Sequence, residues 1–233
     1  MTLIIYKNNF IADTKDILGV RQLFMHLFKS LSLSFCALVF VASTYAADEI
    51  KAVQLYSQDE LLGLINRNEH LTRVVLDNCQ LVQDIQARAE TLKIPSYQFL
   101  WGDMLAWGVC IDKDPERGIN FMHQAAEQGL AAGLEQLGRY YSQGKLVQKD
   151  KERAVVYLRE ASVLGHLKAQ IQLAELFIEG YGSPYDYEDA YHWLYNAITA
   201  DKPTHKKIAV CMSELEKLMH PKAVRKARRP LNS

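Results

Sequence analysis

Apolar residues over the second half of the chain fall at helical spacing in short blocks, and the blocks themselves return. Leu134, Leu137 and Tyr141 lie on one helical face, with the small Gly133 and Gly138 among them. Gly144 ends that helix. Asp150 then stands where an N-cap oxygen belongs, Glu152 falls in the positively polarised first turn, and Ala154, Tyr157, Leu158 and Ala161 carry a second apolar face to Gly165. The same pattern recurs, without a gap, at a step of 36 residues. Gly102, Gly138 and Ala174 form one column, Leu105, Tyr141 and Phe177 a second, and Gly108, Gly144 and Gly180 a third. Downstream align Asp114, Asp150 and Asp186, then Gly118, Ala154 and Ala190, then Phe121, Tyr157 and Trp193, then Ala125, Ala161 and Ala197. Pro115 follows the first cap, at the position where a missing N–H costs nothing, and Asp201 stands where Gly129 and Gly165 close the earlier copies. A fixed period in the thirties predicts a stack of identical two-helix units, none able to cover its apolar face alone. The expected fold is all-α: a right-handed α-solenoid of three helix-turn-helix repeats, 95–130, 131–166 and 167–200, with helical caps at both ends.

The leading cap, 47–94, lies outside the period. Ser57-Gln58-Asp59-Glu60 opens a short helix in capping-box manner, and a second helix carries Val74, Val75, Leu81, Val82 and Ile85 on one face up to the break at Pro95. This segment serves as a cap or as a separate binding element. In the trailing segment, 201–233, a helix from Thr204 to about Met219 presents Ile208, Cys211, Met212, Leu215 and Leu218 to the last repeat. Beyond His220-Pro221 the chain is basic, with Lys222, Arg225, Lys226, Arg228 and Arg229.

Composition adds little: 49% hydrophobic and 23% charged residues with a formal net charge of zero describe an ordinary globular chain of 233 residues. Charge position is more informative. Residues 202–233 carry nine Lys and Arg against two Glu, or +7, whereas 47–201 carry 14 basic and 23 acidic residues, or −9. The basic end either steers docking onto an acidic partner or lipid surface or is a solvated tail. At the other end, Lys29 precedes the apolar run Leu31 to Ala42, and Thr44-Tyr45-Ala46 offers small residues at peptidase positions, so residues 1–46 read as a signal peptide. The competing reading is a membrane anchor, but the run is short of the roughly 20 apolar residues a bilayer requires. Asp13 and Asp16 are foreign to such a leader, and Met25 begins a conventional one, which makes the first 24 residues either a gene-start artefact or an unstructured extension.

Export would leave Cys79, Cys110 and Cys211 in an oxidising compartment. If the helix through Leu81 to Leu92 turns back at 94–96 into the first repeat helix, antiparallel partners sum to about 189, which pairs Cys79 with Cys110. Such a bridge contributes about 3 kcal/mol on the chain-entropy argument. The alternative is three buried thiols. A zinc site lacks ligands, since His123 follows Cys110 by 13 residues with no partner pair. Catalytic patterns are missing as well: there is no phosphate-binding Gly-rich loop, Gly-x-Ser-x-Gly or His-Glu-x-x-His, and no cofactor is implied. His123 and His166 fall near helix ends, where positive charge complements the dipole.

What remains is surface. On the first helix of each unit the positions outside the core form an i, i+3, i+7 stripe: Leu100, Asp103 and Trp107, then Gln136, Arg139 and Gln143, then Gln172, Glu175 and Glu179. Stacked repeats set such stripes side by side on the inner concave wall, which makes these nine the candidate partner-binding residues. Trp107, the one large aromatic, is either an interface anchor or packs against the leading cap near Cys79.

The order of small residue, Leu-Gly, aromatic, Gly, Lys-Asp, Ala, aromatic, Ala and Gly in LGRYYSQGKLVQKDKERAVVYLREASVLG, residues 137–165, resembles the Sel-one-like (Sel1) repeat, a relative of the tetratricopeptide repeat. The first copy departs from it at Trp101 and Gly118, and the third replaces Lys-Asp with Tyr185 and Asp186. The longer stretch from Asp48 to Arg229, with its helical lead QLYSQDELLGLINRNEHLTRVVLDNCQLVQDIQARAETLKIPSYQFLWGDMLAWGVC, three repeats, Cys-bearing last helix and KAVRKARR end, is similar to a family of periplasmic T-ring proteins of the sodium-driven polar flagellar motor. That resemblance implies a non-enzymatic periplasmic scaffold at the flagellar basal body. It implies MotY and the periplasmic region of PomB as partners, and the recruitment and holding of PomA/PomB stator units. Two rival readings are an exported Sel-one-like protein that binds or hydrolyses β-lactams and a generic envelope assembly adaptor. Against the first stands the single repeat cysteine, Cys110, where such proteins carry a pair in each repeat.

Overall fold

In the first two expected hairpins the second helix begins at an aspartate that caps it. Asp114 Oδ1 accepts from the Arg117 N–H at 3.1 Å and Asp150 Oδ1 from the Arg153 N–H at 2.9 Å, caps that stabilise a helix by about 1 kcal/mol each. Gly108 and Gly144 end the preceding helices at φ 70° and 72°, the left-handed conformation that costs glycine least. In this computed structural model, which describes residues 55–230, the hairpins are α4 (Pro95–Trp107) with α5 (Pro115–Glu127), α6 (Ala131–Gln143) with α7 (Lys151–Val163), and α8 (Leu167–Ile178) with α9 (Tyr187–Tyr195). The expected leader, the alternative start at Met25 and Cys36 lie outside the described residues. Among the described residues every regular element is helical, and no helix is long and apolar enough to cross a membrane.

The third hairpin departs from the first two. A 3₁₀ turn, Pro184–Asp186, leads into α9, and Asp186 makes no cap bond but pairs with Arg159 at 2.9 Å. Asp201, where the earlier copies have glycine, caps the next helix instead, accepting from the Thr204 N–H at 2.9 Å.

Before the repeats come α1 (Gln58–Arg67), α2 (His70–Leu76) and α3 (Val82–Glu90). Ser57 caps α1 through the Glu60 N–H, as its capping-box position predicts. The single helix expected across Val74 to Ile85 is two, because Asn78 and Cys79 adopt φ 52° and 58° and break it. Val75 is consequently exposed, while Val74 and Ile85 stay in the core. After the repeats come α10 (Lys202–Leu218) and α11 (Pro221–Ala227). The basic end is thus neither a free arm nor a loose tail: Val224 and Ala227 are buried, and Lys226 and Arg228 pair with Glu188 and Glu216 at 2.8 and 2.6 Å.

The apolar interior has two sections. Tyr56, Leu61, Ile65, Val74 and Ile85 of the leading segment pack with Tyr97, Leu100, Trp101 and Met104 of α4. Leu137, Tyr141, Leu158, Leu173, Phe177 and Tyr191 of the second and third hairpins pack with Ile208, Cys211 and Leu215 of α10. The cross-column glycines matter most in the first hairpin, where a Cβ on Gly118 would lie 2.6 Å from the Gly102 carbonyl oxygen and 2.7 Å from the Ala106 nitrogen. Glycine there lets α4 and α5 touch backbone to backbone, which explains its departure from the alanine of the other copies.

Candidate partner-binding groove

The nine stripe residues separate into three buried ones, Trp107 at the junction of the first two repeats, and five that share a groove. Leu100 is 0% and Asp103 3% exposed, because the leading helices fold over them. Gln136 of the second repeat is buried too, at 6%. These three are interior residues, and expecting them on an open wall was wrong because nothing in a repeat's own spacing shows that a segment from outside the period lies across it.

What covers Asp103 is His70 of α2, a residue that repeat spacing could not single out. The His70 Nε2–H donates to Asp103 Oδ2 at 2.7 Å, both side chains are sealed from solvent, and Asp103 Oδ1 has the Tyr140 hydroxyl at 3.4 Å and the Gln136 amide at 3.5 Å. One carboxylate therefore joins the leading cap to the first two repeats. A buried His–Asp pair is a familiar orienting device in catalysis; here both side chains lie in the interior, and His70 Nδ1 makes no hydrogen bond. Burial also raises the Tyr140 phenol, reinforced by the Asp103 charge, so it stays protonated and able to donate.

Trp107 is half-buried and packs against the second repeat rather than the cap near Cys79. Its indole N–H donates to the Tyr140 hydroxyl at 3.1 Å, and the Lys145 ammonium sits 4.4 Å from its ring centroid, so it bridges the first and second repeats.

The remaining five stripe residues come together. Arg139 and Gln143 of α6, Gln172 and Glu175 of α8, Glu179 at its C-cap, and Lys207 of α10 line a groove of about 250 Å³. A second hollow of about 240 Å³ continues it toward α1, again with Arg139 and Gln172 in its wall. Repeat geometry accounts for the groove, since residues 36 apart occupy equivalent places on neighbouring first helices. Its charges are matched internally: Lys207 with Glu175 at 2.8 Å, Arg139 with Glu135 at 3.5 Å, and Lys151 with Glu179. Exposed pairs such as Lys207–Glu175 contribute little to stability, about 0–1 kcal/mol each, and can be exchanged for partner contacts at small cost. Lys207, from the trailing cap, is the groove residue outside the stripe; the period could not point to it because α10 is not a repeat helix.

The cysteines and histidines take structural places. Cys79 and Cys110 form a disulfide with Cα atoms 5.6 Å apart, tying the α2–α3 turn to the end of the first repeat helix. Cys211 is buried in α10, and desolvation, with the nearby Glu175 charge, pushes its thiol up to about 11. Burial pushes the His123 and His166 imidazoles down, so they favour the neutral form and do not supply the dipole-complementing charge expected of them. His123 instead lies among the Tyr141 and Tyr157 rings, and His166 is the N-cap residue of α8. No cluster of three or more His, Cys, Asp or Glu suited to a metal ion occurs among the described residues.

Comparison with known proteins places this geometry. The Sel1 repeat family matches at residues 95–130, 131–166 and 167–201. The sodium-type polar flagellar protein MotX of Vibrio parahaemolyticus is 56% identical over 184 residues, covering 79% of this chain and 87% of its own length. Among solved structures, a Sel1 repeat protein from Oxalobacter formigenes is 26% identical with a TM-score of 0.44, over 58% of this chain and 55% of that one. A protective antigen of uropathogenic Escherichia coli displaying an SLR fold is 26% identical with a TM-score of 0.47, over 58% of this chain and 28% of that one. The chain thus spans less than two thirds of either solved protein.

Proposed function

The chain belongs to the MotX family, and from that premise, with its Sel1 repeats, we propose that it is a structural component of the sodium-type polar flagellar motor that works by holding other proteins rather than by catalysis. In the finer reading it is a periplasmic scaffold at the basal body that joins MotY and recruits and holds PomA/PomB stator units. The observation carrying the binding role is the groove in which two repeats and the trailing cap bring Arg139, Gln143, Gln172, Glu175, Glu179 and Lys207 together. A stack of hairpins stapled at one end and capped at the other is stiff, which suits an element that must keep a stator unit in place against torque.

Deleting the gene in its own organism tests this. Cells are expected to build filaments yet fail to swim, and to regain swimming when the chain is supplied again. Loss of filaments, or undiminished swimming, would contradict the proposal.

A further inference from the structure

Beside the groove lies a larger hollow of about 490 Å³ whose chemistry is one-sided. It is walled by the end of α1 at Asn66, the first turn of α8 and the start of α10 at Thr204 and Lys207, and no acidic residue lines it. Two ammonium groups border it, each held by a single contact: Lys168 Nζ by the Asn66 carbonyl at 3.0 Å, and Lys207 Nζ by Glu175 at 2.8 Å. The first turn of α8 also lines it, and no side chain caps that turn. Lysines and a helix N-terminus together favour a carboxylate. Ile171 and Leu167 give the same hollow an apolar floor.

Gly165 and Leu167 are shared with a second hollow of about 350 Å³ that has no charged residue in its wall. Its apolar lining includes Val163, 67% exposed, Trp193, and Ile198, 96% exposed. The exposed Val163 and Ile198 and the half-buried Trp193 stand together in one wall. The cationic and the apolar hollow thus adjoin at Gly165 and Leu167.

We propose that this double hollow seats an extended segment of another protein in which an acidic side chain stands beside an aliphatic or aromatic one: the carboxylate between Lys168 and Lys207, the apolar side chain against Ile198 and Trp193. A free anion would leave the apolar half unused, and an uncharged segment would leave Lys168 with only a neutral carbonyl and Lys207 with only Glu175 as partner. The inference rests on the reading of the chain as a holder of proteins, though not on which proteins those are.

Selection of random heptapeptides displayed on phage against the purified full-length protein tests it. Enriched peptides should pair Asp or Glu with a neighbouring Leu, Ile, Val or Phe. Their affinity should fall about tenfold or more in the Lys168→Gln/Lys207→Gln double variant, with a flatter salt dependence, and about tenfold in Ile198→Ser, whose exposed position leaves the fold alone. Enrichment of peptides without an acid, no enrichment, or affinities unmoved by both variants would overturn it. So would equal displacement by millimolar inorganic phosphate and by an acidic peptide lacking the apolar neighbour, which would mark a small-anion site, or self-association abolished by the same variants, which would make the occupant a second copy. None of these failures touches the swimming test above, so the two readings fail separately.

Discussion

Asp103 shows how one side chain can serve two elements. Its carboxylate accepts from His70 on one side and faces the Tyr140 hydroxyl and Gln136 amide on the other, all at 8% exposure or less. Removing a buried acceptor leaves its donors dehydrated and unpaired, which costs far more than the bond was worth net. Asp103→Ala should therefore lower stability by about 3 kcal/mol, seen as a lower urea midpoint. Gln143→Ala, on an exposed position of the same stripe, should change it by less than about 0.5 kcal/mol. Equal effects of the two would show that the His70–Asp103 link carries no load. The stripe spacing put Asp103 and Gln143 in one class, and only the fold distinguishes them. Spacing defines a helical face, but what lies on that face is decided by His70, 33 residues away and outside the period.

At the scale of elements, the period located the three hairpins because each column has a steric or capping reason to recur. The exceptions are physical too. Gly118 breaks the alanine column since α4 and α5 approach until the Gly102 carbonyl would lie 2.6 Å from any Cβ placed there. Gly118→Ala, a change toward the residue of the other two copies, should thus destabilise the chain by about 2 kcal/mol, measured by thermal or urea unfolding. A neutral or stabilising result would mean that the backbone contact is not close. Other elements were illegible for stated reasons. The break between α2 and α3 depends on left-handed Asn78 and Cys79 and is pinned by a bridge to a residue 31 positions on. The short α11 reads as a basic tail because only Val224 and Ala227 are buried, too few to give a periodic pattern.

For the whole molecule, part of the charge asymmetry along the sequence is spent within the fold. Lys207 and Lys226 of the basic end pair with Glu175 and Glu188 of the third repeat, while Arg228 pairs with Glu216 of α10, so the trailing cap neutralises part of the third repeat and adds a wall to the groove. The leading cap likewise occupies the first repeat's share of the expected inner wall, which leaves the second and third repeats with α10 to receive a partner. The central claim is that this groove grips another component of the motor. It is tested most directly by measuring swimming in cells whose only copy of the chain carries Gln143→Lys together with Glu179→Lys, two exposed groove positions that the core does not need. The account predicts normal filaments, a normal amount of folded protein and at least a severalfold loss of swimming speed. Swimming at the unmodified speed with that variant would contradict it.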